Sequence, residues 1–321
     1  MPMFKKYDGT YLETPYHTHT VNDTLNSSNK VALASYDEDG FMIADYKNTI
    51  DGMMTNVISI NERLYSIEPG VLKSGSEFNT IIKKYNPTSI TFTTDVVPNE
   101  YLSTASVVSD TTSTKKVYAY AVGTNVYISP EVNNTKIITG SNPSNMFSSL
   151  TSLVSINFGN FHTDNATVLD GMFSNCTSLT SLDLSTFVTA KVTSINNLCL
   201  SCTKLQTITG IGTWSIPNLI TAISAFESCT VLKKLSLGNW YAENLTNTQS
   251  MVKNCPVVVG YMIAMNPSMT SVSNMFTGSC TSSSSEFVID YINGCRSTAN
   301  LMVNTKSSGS YVKLGRMIAI M

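Results

Sequence analysis

The residues of this chain with the most chemistry to offer are its seven cysteines, since a thiolate can act as nucleophile or metal ligand. Five of them, Cys176, Cys202, Cys229, Cys255 and Cys280, recur at intervals of 26, 27, 26 and 25. A catalytic nucleophile occurs once, whereas a residue copied at a fixed period belongs to a repeated structural unit. The stretch "CLSC", Cys199 to Cys202, has redox-motif spacing, but Cys202 is a member of the copied series and no thioredoxin-like strand and helix surround it. Side chains of neighbouring copies run parallel, about 4.8 Å apart, which opposes the disulfide torsion. The expectation is a column of free, buried thiols that act as small hydrophobes.

Other catalytic residue types are sparse. Cleaving a polysaccharide needs two carboxylates flanking the scissile bond. The strand positions expected to face outward carry Ser155, Asn157, Ser181, Asp183, Thr207, Thr209, Lys234 and Ser236, with Asp183 the one acid among them. The expectation is therefore no enzyme and no cofactor, with these eight residues as a candidate recognition face for glycan or protein. His162 stands alone and reads as a polar surface residue. With 20 Lys+Arg against 22 Asp+Glu and 13% charged residues, nothing resembles a basic face for nucleic acid. No run approaches the roughly 18 apolar residues of a membrane span. The opening "MPMFKKYDGTYLETPYHTHT" lacks the charged region, apolar run and cleavage site of a secretory signal, so the chain reads as one made in a cytoplasm and not exported by the usual route.

The elements that hold these residues must be read from the repeat itself. Met146, Met172, Leu198, Ala225, Met251 and Met275 each open a Met-Phe-like pair. Further columns follow at Leu153, Leu179, Leu205, Leu232 and Val258, then at Ile156, Leu182, Ile208, Leu235 and Tyr261. An aromatic closes four copies, at Phe161, Phe187, Trp214 and Trp240, and in-register recurrence makes these core residues. In "SLTSLDL" the alternation turns Leu182 and Leu184 inward and Ser181 and Asp183 outward, as in a short strand. "GMFSNC" puts Met172, Phe173 and Cys176 at the spacing of one helical turn. Neither element buries its apolar side alone, so copies must stack into a solenoid with a parallel sheet.

"MFSNCTSLTSLDLSTFVTAKVTSINNL" resembles the BspA-like leucine-rich repeats of surface proteins, with Phe187, Val192 and Thr193 at matching positions. The later copies "LCLSC", "AFESC" and "MVKNCPVVVGYM" depart from it. The resemblance implies a leucine-rich-repeat-like solenoid, an α+β repeat of about six 26-residue copies over residues 141–283, and roles in adhesion and recognition in bacteria, protists and bacteriophages. A β-rich cap is expected over residues 78–140, containing a hairpin in "KVYAYAVGTNVYISP". A second β cap is expected over residues 284–321, because an open solenoid end exposes apolar columns.

Residues 41–68 carry a different period. Ile43, Tyr46, Ile50, Met53, Val57, Ile60, Leu64 and Ile67 alternate steps of three and four, a heptad seam on a helix of roughly 36 Å. The reading is a coiled-coil stalk that joins three copies. Ahead of it, residues 1–40 form an expected attachment arm. There, His17 and His19 resemble the His-x-His segments near the starts of phage fibre proteins, and they are read as part of a docking arm and not as a metal site. Together these features point to a structural bacteriophage fibre on the virion surface, anchored to a capsid or tail protein and touching a bacterial surface glycan or protein. The alternative is a cellular surface adhesin with the same repeats.

Overall fold

The computed structural model describes residues 68–319, apart from 239, 257 and 270. The expected arm, with His17 and His19, and the heptad residues from Ile43 to Ile67 lie outside the described residues. In chain order the described elements are β1 (Gly70–Val71), α1 (Gly75–Lys83), β2 (Ser89–Phe92), β3 (Ser106–Val107), β4 (Val117–Val122), β5 (Asn125–Pro130) and β6 (Ile137–Ile138). The repeats then supply β7 (Ser155–Asn157), β8 (Phe161–His162), β9 (Ser181–Asp183), β10 (Thr207–Thr209), β11 (Lys234–Leu237) and β12 (Val259–Ala264). The chain closes with β13 (Glu286–Ile292), α2 (Arg296–Val303) and β14 (Val312–Ile318).

The architecture is a β-solenoid of about seven turns with few helices; its likeness to leucine-rich repeats in particular rests on the sequence resemblance. Strands β9 to β14 form one parallel six-stranded sheet in chain order. A five-stranded sheet, β3-β4-β5-β2-β7, lies before it, and a short one, β1-β6-β8, lines another side. A row of backbone bonds carries the two larger sheets into one another. Val154 N–H donates to Thr88 O, Thr180 to Val154 O at 3.4 Å, Gln206 to Thr180 O at 2.9 Å and Lys233 to Gln206 O at 2.9 Å.

The expected helical turn in each copy is not helical, and the bonding shows why. Gly171 and Asn175 are both left-handed, with φ of 61° and 59°, as are the pairs Asn145 and Ser149, Asn197 and Ser201, Ser224 and Ser228, Ser250 and Asn254, and Asn274 and Gly278. Two left-handed residues four apart break an α-run, and Gly, Asn and Ser are the small residues found there. The N–H groups then alternate in direction. Met172, Ser174 and Cys176 bond back three residues, to Leu169, Gly171 and Phe173, while Gly171, Phe173 and Asn175 donate to Asn196, Leu198 and Leu200 of the next coil. Met172, Phe173 and Cys176 face one core, as their spacing implies, on a backbone that is tied to its neighbours and not to itself.

The core is made of stacked columns. Phe147 and Phe173 stack at 5.5 Å, Phe187 and Trp214 at 6.2 Å, and Trp214 and Trp240 at 6.2 Å with planes 4° apart. Each indole also meets its polar need inside, Trp214 Nε1 donating to Leu184 O and Trp240 Nε1 to Ile211 O. One column differs from expectation. Leu235 pairs with Gly260 and not with Tyr261, which lies opposite Ser236 on the outer side. A Cβ at Gly260 would come within 2.1 Å of the Phe287 ring, so the next coil's phenylalanine occupies the space a side chain would need.

Both ends are closed by helices that alternating apolar residues did not announce. The N-terminal region contains the β4–β5 hairpin, but it begins with α1, whose Asn79 amide donates to Met146 O and Ser148 O of the first turn segment. Gly75 permits this approach, since a Cβ there would sit 2.1 Å from Ser144 O. At the other end β13, α2 and β14 continue the parallel sheet as one more coil. After α2, the Thr305 and Ser307 hydroxyls accept the N–H groups of Phe276 and Gly278, which in interior coils would bond the next turn. Each end thus combines strands with one helix, whose backbone groups bond within the helix where no further coil exists.

Candidate recognition face

The outward side of the sheet is set by strand alternation. Ser155, Asn157, Ser181, Asp183, Thr207, Thr209, Lys234 and Ser236 are all exposed, while Leu182, Ile208 and Leu235 between them are buried. The register sorts the eight into two rows. Ser181, Thr207 and Lys234 stand side by side in one, Asp183 and Thr209 in the other. At the preceding strands Ser155 adjoins Ser89 and Asn157 adjoins Thr91. Asp183 accepts the Ser185 N–H at 3.0 Å. Hydrogen bonds from the Ser185 backbone and side chain, with a smaller one from Thr209, hold its carboxyl below the usual aspartate value. It is therefore an ionised acceptor near neutral pH and not a proton donor.

Past Ser236 the face changes character. Tyr261, Val288 and Lys313 follow in the same row. Glu286 and Lys313 form an exposed ion pair at 2.9 Å, of the kind that adds little stability. Asp290 is buried at 4% exposure, where the β13–β14 register shifts. It accepts the Tyr261 hydroxyl at 2.9 Å and the Arg316 N–H at 2.7 Å. Burial first, and then Asp290, push the Tyr261 hydroxyl up to about 12. Gly315 leaves room for the carboxylate, since a Cβ there would lie 1.9 Å from it. This cluster holds an irregular strand pair in place. No spacing in the sequence signals it.

The thiols are inside and free. Cys176, Cys202, Cys229 and Cys255 do more than fill space, since each Sγ donates to a carbonyl of the preceding coil, Phe147, Phe173, Cys199 and Phe226, at 3.0 to 3.1 Å. Burial raises the thiols of Cys176, Cys199 and Cys229, and those of Cys255 and Cys280 to about 12. Such groups are poor nucleophiles. The "CLSC" spacing arises because Cys199 occupies the column of Phe147, Phe173 and Phe226 while Cys202 belongs to the thiol column. His162 is half-buried in β8, and burial and Lys136 lower its pKa.

Hollows on the surface of the described residues include the following two. One of about 250 Å³ adjoins the polar rows and is lined by Ile156, Asn157, Phe158, Gly159, Asp183, Ser185 and Thr186. The other, about 530 Å³, is lined by Lys191, Thr193, Asn218, Ile220 and Asn244. The polar groups of this second hollow are already engaged, Lys191 Nζ with Asp164 O, Asn218 with Ala190 O and Asn244 with Pro217 O, each at 2.8 Å. Among the described residues no group of His, Cys, Asp and Glu could hold a metal ion, and no helix is long and apolar enough to cross a membrane.

The family described as "Mycoplasma protein of unknown function, DUF285" matches residues 113–234, 141–264 and 181–286. These overlapping matches run together over residues 113–286, more than half of the 321-residue chain. No curated protein and no solved structure gave a match.

Proposed function

The chain belongs to this DUF285 family of BspA-like repeat proteins, and on that footing we propose that it is a structural surface protein that adheres through the outer face of its parallel sheet. The observation that carries the reading is the division of roles around each coil. Thiols, indoles and leucines are turned inward, whereas the side-chain hydroxyls of Ser155, Ser181, Thr207 and Ser236 have no hydrogen bond to any described residue. A rigid ladder presenting unengaged donors and acceptors is suited to recognition. Catalysis has no such support, because Asp183 is held ionised and the nearby positions supply hydroxyls and amides.

The setting we favour is a cell surface, since the family description names Mycoplasma proteins. A second reading makes the chain a bacteriophage head or tail fibre, anchored to a capsid or tail protein through residues 1–40 and assembled as a homotrimer. What favours it is the unbroken three-and-four spacing from Ile43 to Ile67.

The test is joint replacement of Ser181, Asp183, Thr207 and Thr209 by Ala, followed by adsorption of purified protein to bacterial cells. The variant should keep the wild-type circular dichroism spectrum and lose most of its cell binding. Undiminished adsorption by a folded variant rules out this face as the contact.

A further inference from the structure

The aromatic residues that recur with the repeat are buried, but a second aromatic ladder stands on the outer side of the sheet. Tyr101 stacks on Tyr120 at 5.1 Å, and Tyr120 on Tyr127 at 5.3 Å with planes 18° apart. Tyr120 is enclosed, at 7% exposure, by its two neighbours. Tyr127 is half-buried and ends the stack among the described residues. The residue beside it in register is Thr91 of β2, and next to Thr91 is Asn157 of β7. No further aromatic ring stacks on Tyr127 among the described residues, and its neighbour on that side in register is the much smaller Thr91, which leaves Tyr127 partly exposed.

The result is a slot. Tyr127 forms one wall, Thr91 the floor and Asn157 the other wall, two strand spacings or roughly 10 Å away. Beyond Asn157 lies the hollow that it shares with Asp183. The Tyr127 hydroxyl, the Thr91 hydroxyl and the Asn157 amide NH₂ donate to no described residue, and Asn157 uses only its oxygen, to hold the Gly159 N–H at 3.0 Å.

We infer that this slot is a glycan subsite for a neutral sugar, with one ring stacked on Tyr127 and its hydroxyls bonded to Thr91 and Asn157, and with the next sugar of the chain reaching Asp183 in the hollow beyond. The inference rests on the adhesive reading above and names its ligand class. A sugar ring has an apolar face of C–H groups and an edge of hydroxyls. Placed at a carbon–carbon contact of about 3.5–4 Å from the tyrosine ring, it meets the donors and acceptors of the floor and far wall. An aromatic face also suits a nucleobase, but the affinity of nucleic-acid binding comes largely from Lys and Arg on the phosphates, and the adjoining positions are Ser89, Asn125, Ser155 and Asp183. A protein partner would call for large desolvated anchors where this slot has small hydroxyl residues. An uncharged, hydroxyl-rich ligand fits both the ring and the lack of charge.

The experiment applies the full chain to immobilised neutral bacterial surface polysaccharides, with heparin and serum albumin as acidic-glycan and protein comparators. The wild type should hold at least one neutral polysaccharide and neither comparator. Tyr127→Ala should weaken that binding by about tenfold or more, a change of about 1.4 kcal/mol, while Tyr127→Phe keeps most of it. Thr91→Tyr leaves Tyr127 in place but covers its exposed side, and should cause the same loss without lowering the thermal midpoint. No neutral polysaccharide held, preferential binding to a comparator, or full binding by folded Thr91→Tyr each overturns the subsite. If wild type still adsorbs to cells in those cases, the adhesive reading survives alone; if it does not, both fail.

Discussion

Raising the pH should unfold the solenoid through its thiol column. Cys176, Cys199, Cys229, Cys255 and Cys280 have no exposed surface, and burial raises each thiol above its ordinary value of 9.0, to about 12 for Cys255 and Cys280. In the unfolded chain the same groups ionise at the ordinary value. Between the two values the folded state holds a proton that the unfolded state has released, so stability falls as pH rises. The loss is about 1.4 kcal/mol per pH unit for each thiol. Below pH 8 the contribution is fully present and the slope disappears. From pH 8 to pH 10 five thiols together remove about 7 kcal/mol, to be set against about 5–15 kcal/mol for a whole domain. Tyr261 acts in the same direction but only above its ordinary value of 10.0. The assay is urea unfolding by circular dichroism at pH 8, 9 and 10 with reductant present, alongside labelling by a thiol reagent. The urea midpoint should fall steeply, labelling should track unfolding, and Cys255→Ala should show about a fifth less pH dependence. A stability change below about 1 kcal/mol over that range, or rapid labelling of the native chain at pH 8, refutes the reasoning.

Two other expectations concern the fold and the assembly. Gly260→Ala should destabilise by about 1–3 kcal/mol through overpacking, because the added Cβ meets the Phe287 ring, and a raised urea midpoint would mean that ring moves freely. Light scattering of the full chain and of a truncation starting at Pro69 tests the heptad: a trimer that becomes a monomer supports the stalk, and a full-length monomer removes it.

What was legible in the sequence was whatever repeats. The recurrence of Cys176, Cys202, Cys229 and Cys255 identified a structural column, and the alternation around Leu182 and Ile208 separated inward from outward residues, because stacked coils place equivalent residues in equivalent surroundings. Even "MVKNCPVVVGYM", which departs from the repeat, keeps its strand as β12. The departures from expectation lie where position in a coil no longer predicts the neighbours. The turn segments carry helical spacing, yet their N–H groups reach to the next coil, a choice made by the left-handed residues and the stack. Tyr261 lost its place in the leucine column to the ring of Phe287, a residue from another coil.

The sequence by itself determined that the chain is a repeat protein with buried, unreactive sulfur and a polar strand face, since periodicity is a local property that survives without coordinates. Only the tertiary structure decided how the ends close, where Thr305 and Ser307 replace the missing coil, and which aromatic residues face solvent. Tyr101, Tyr120 and Tyr127 come from a short 3-10 helix and two antiparallel strands and obey no period in the chain. They stack beside Thr91 because β5 pairs with β2 across 36 residues, and a pairing of that kind is set by packing and not by spacing.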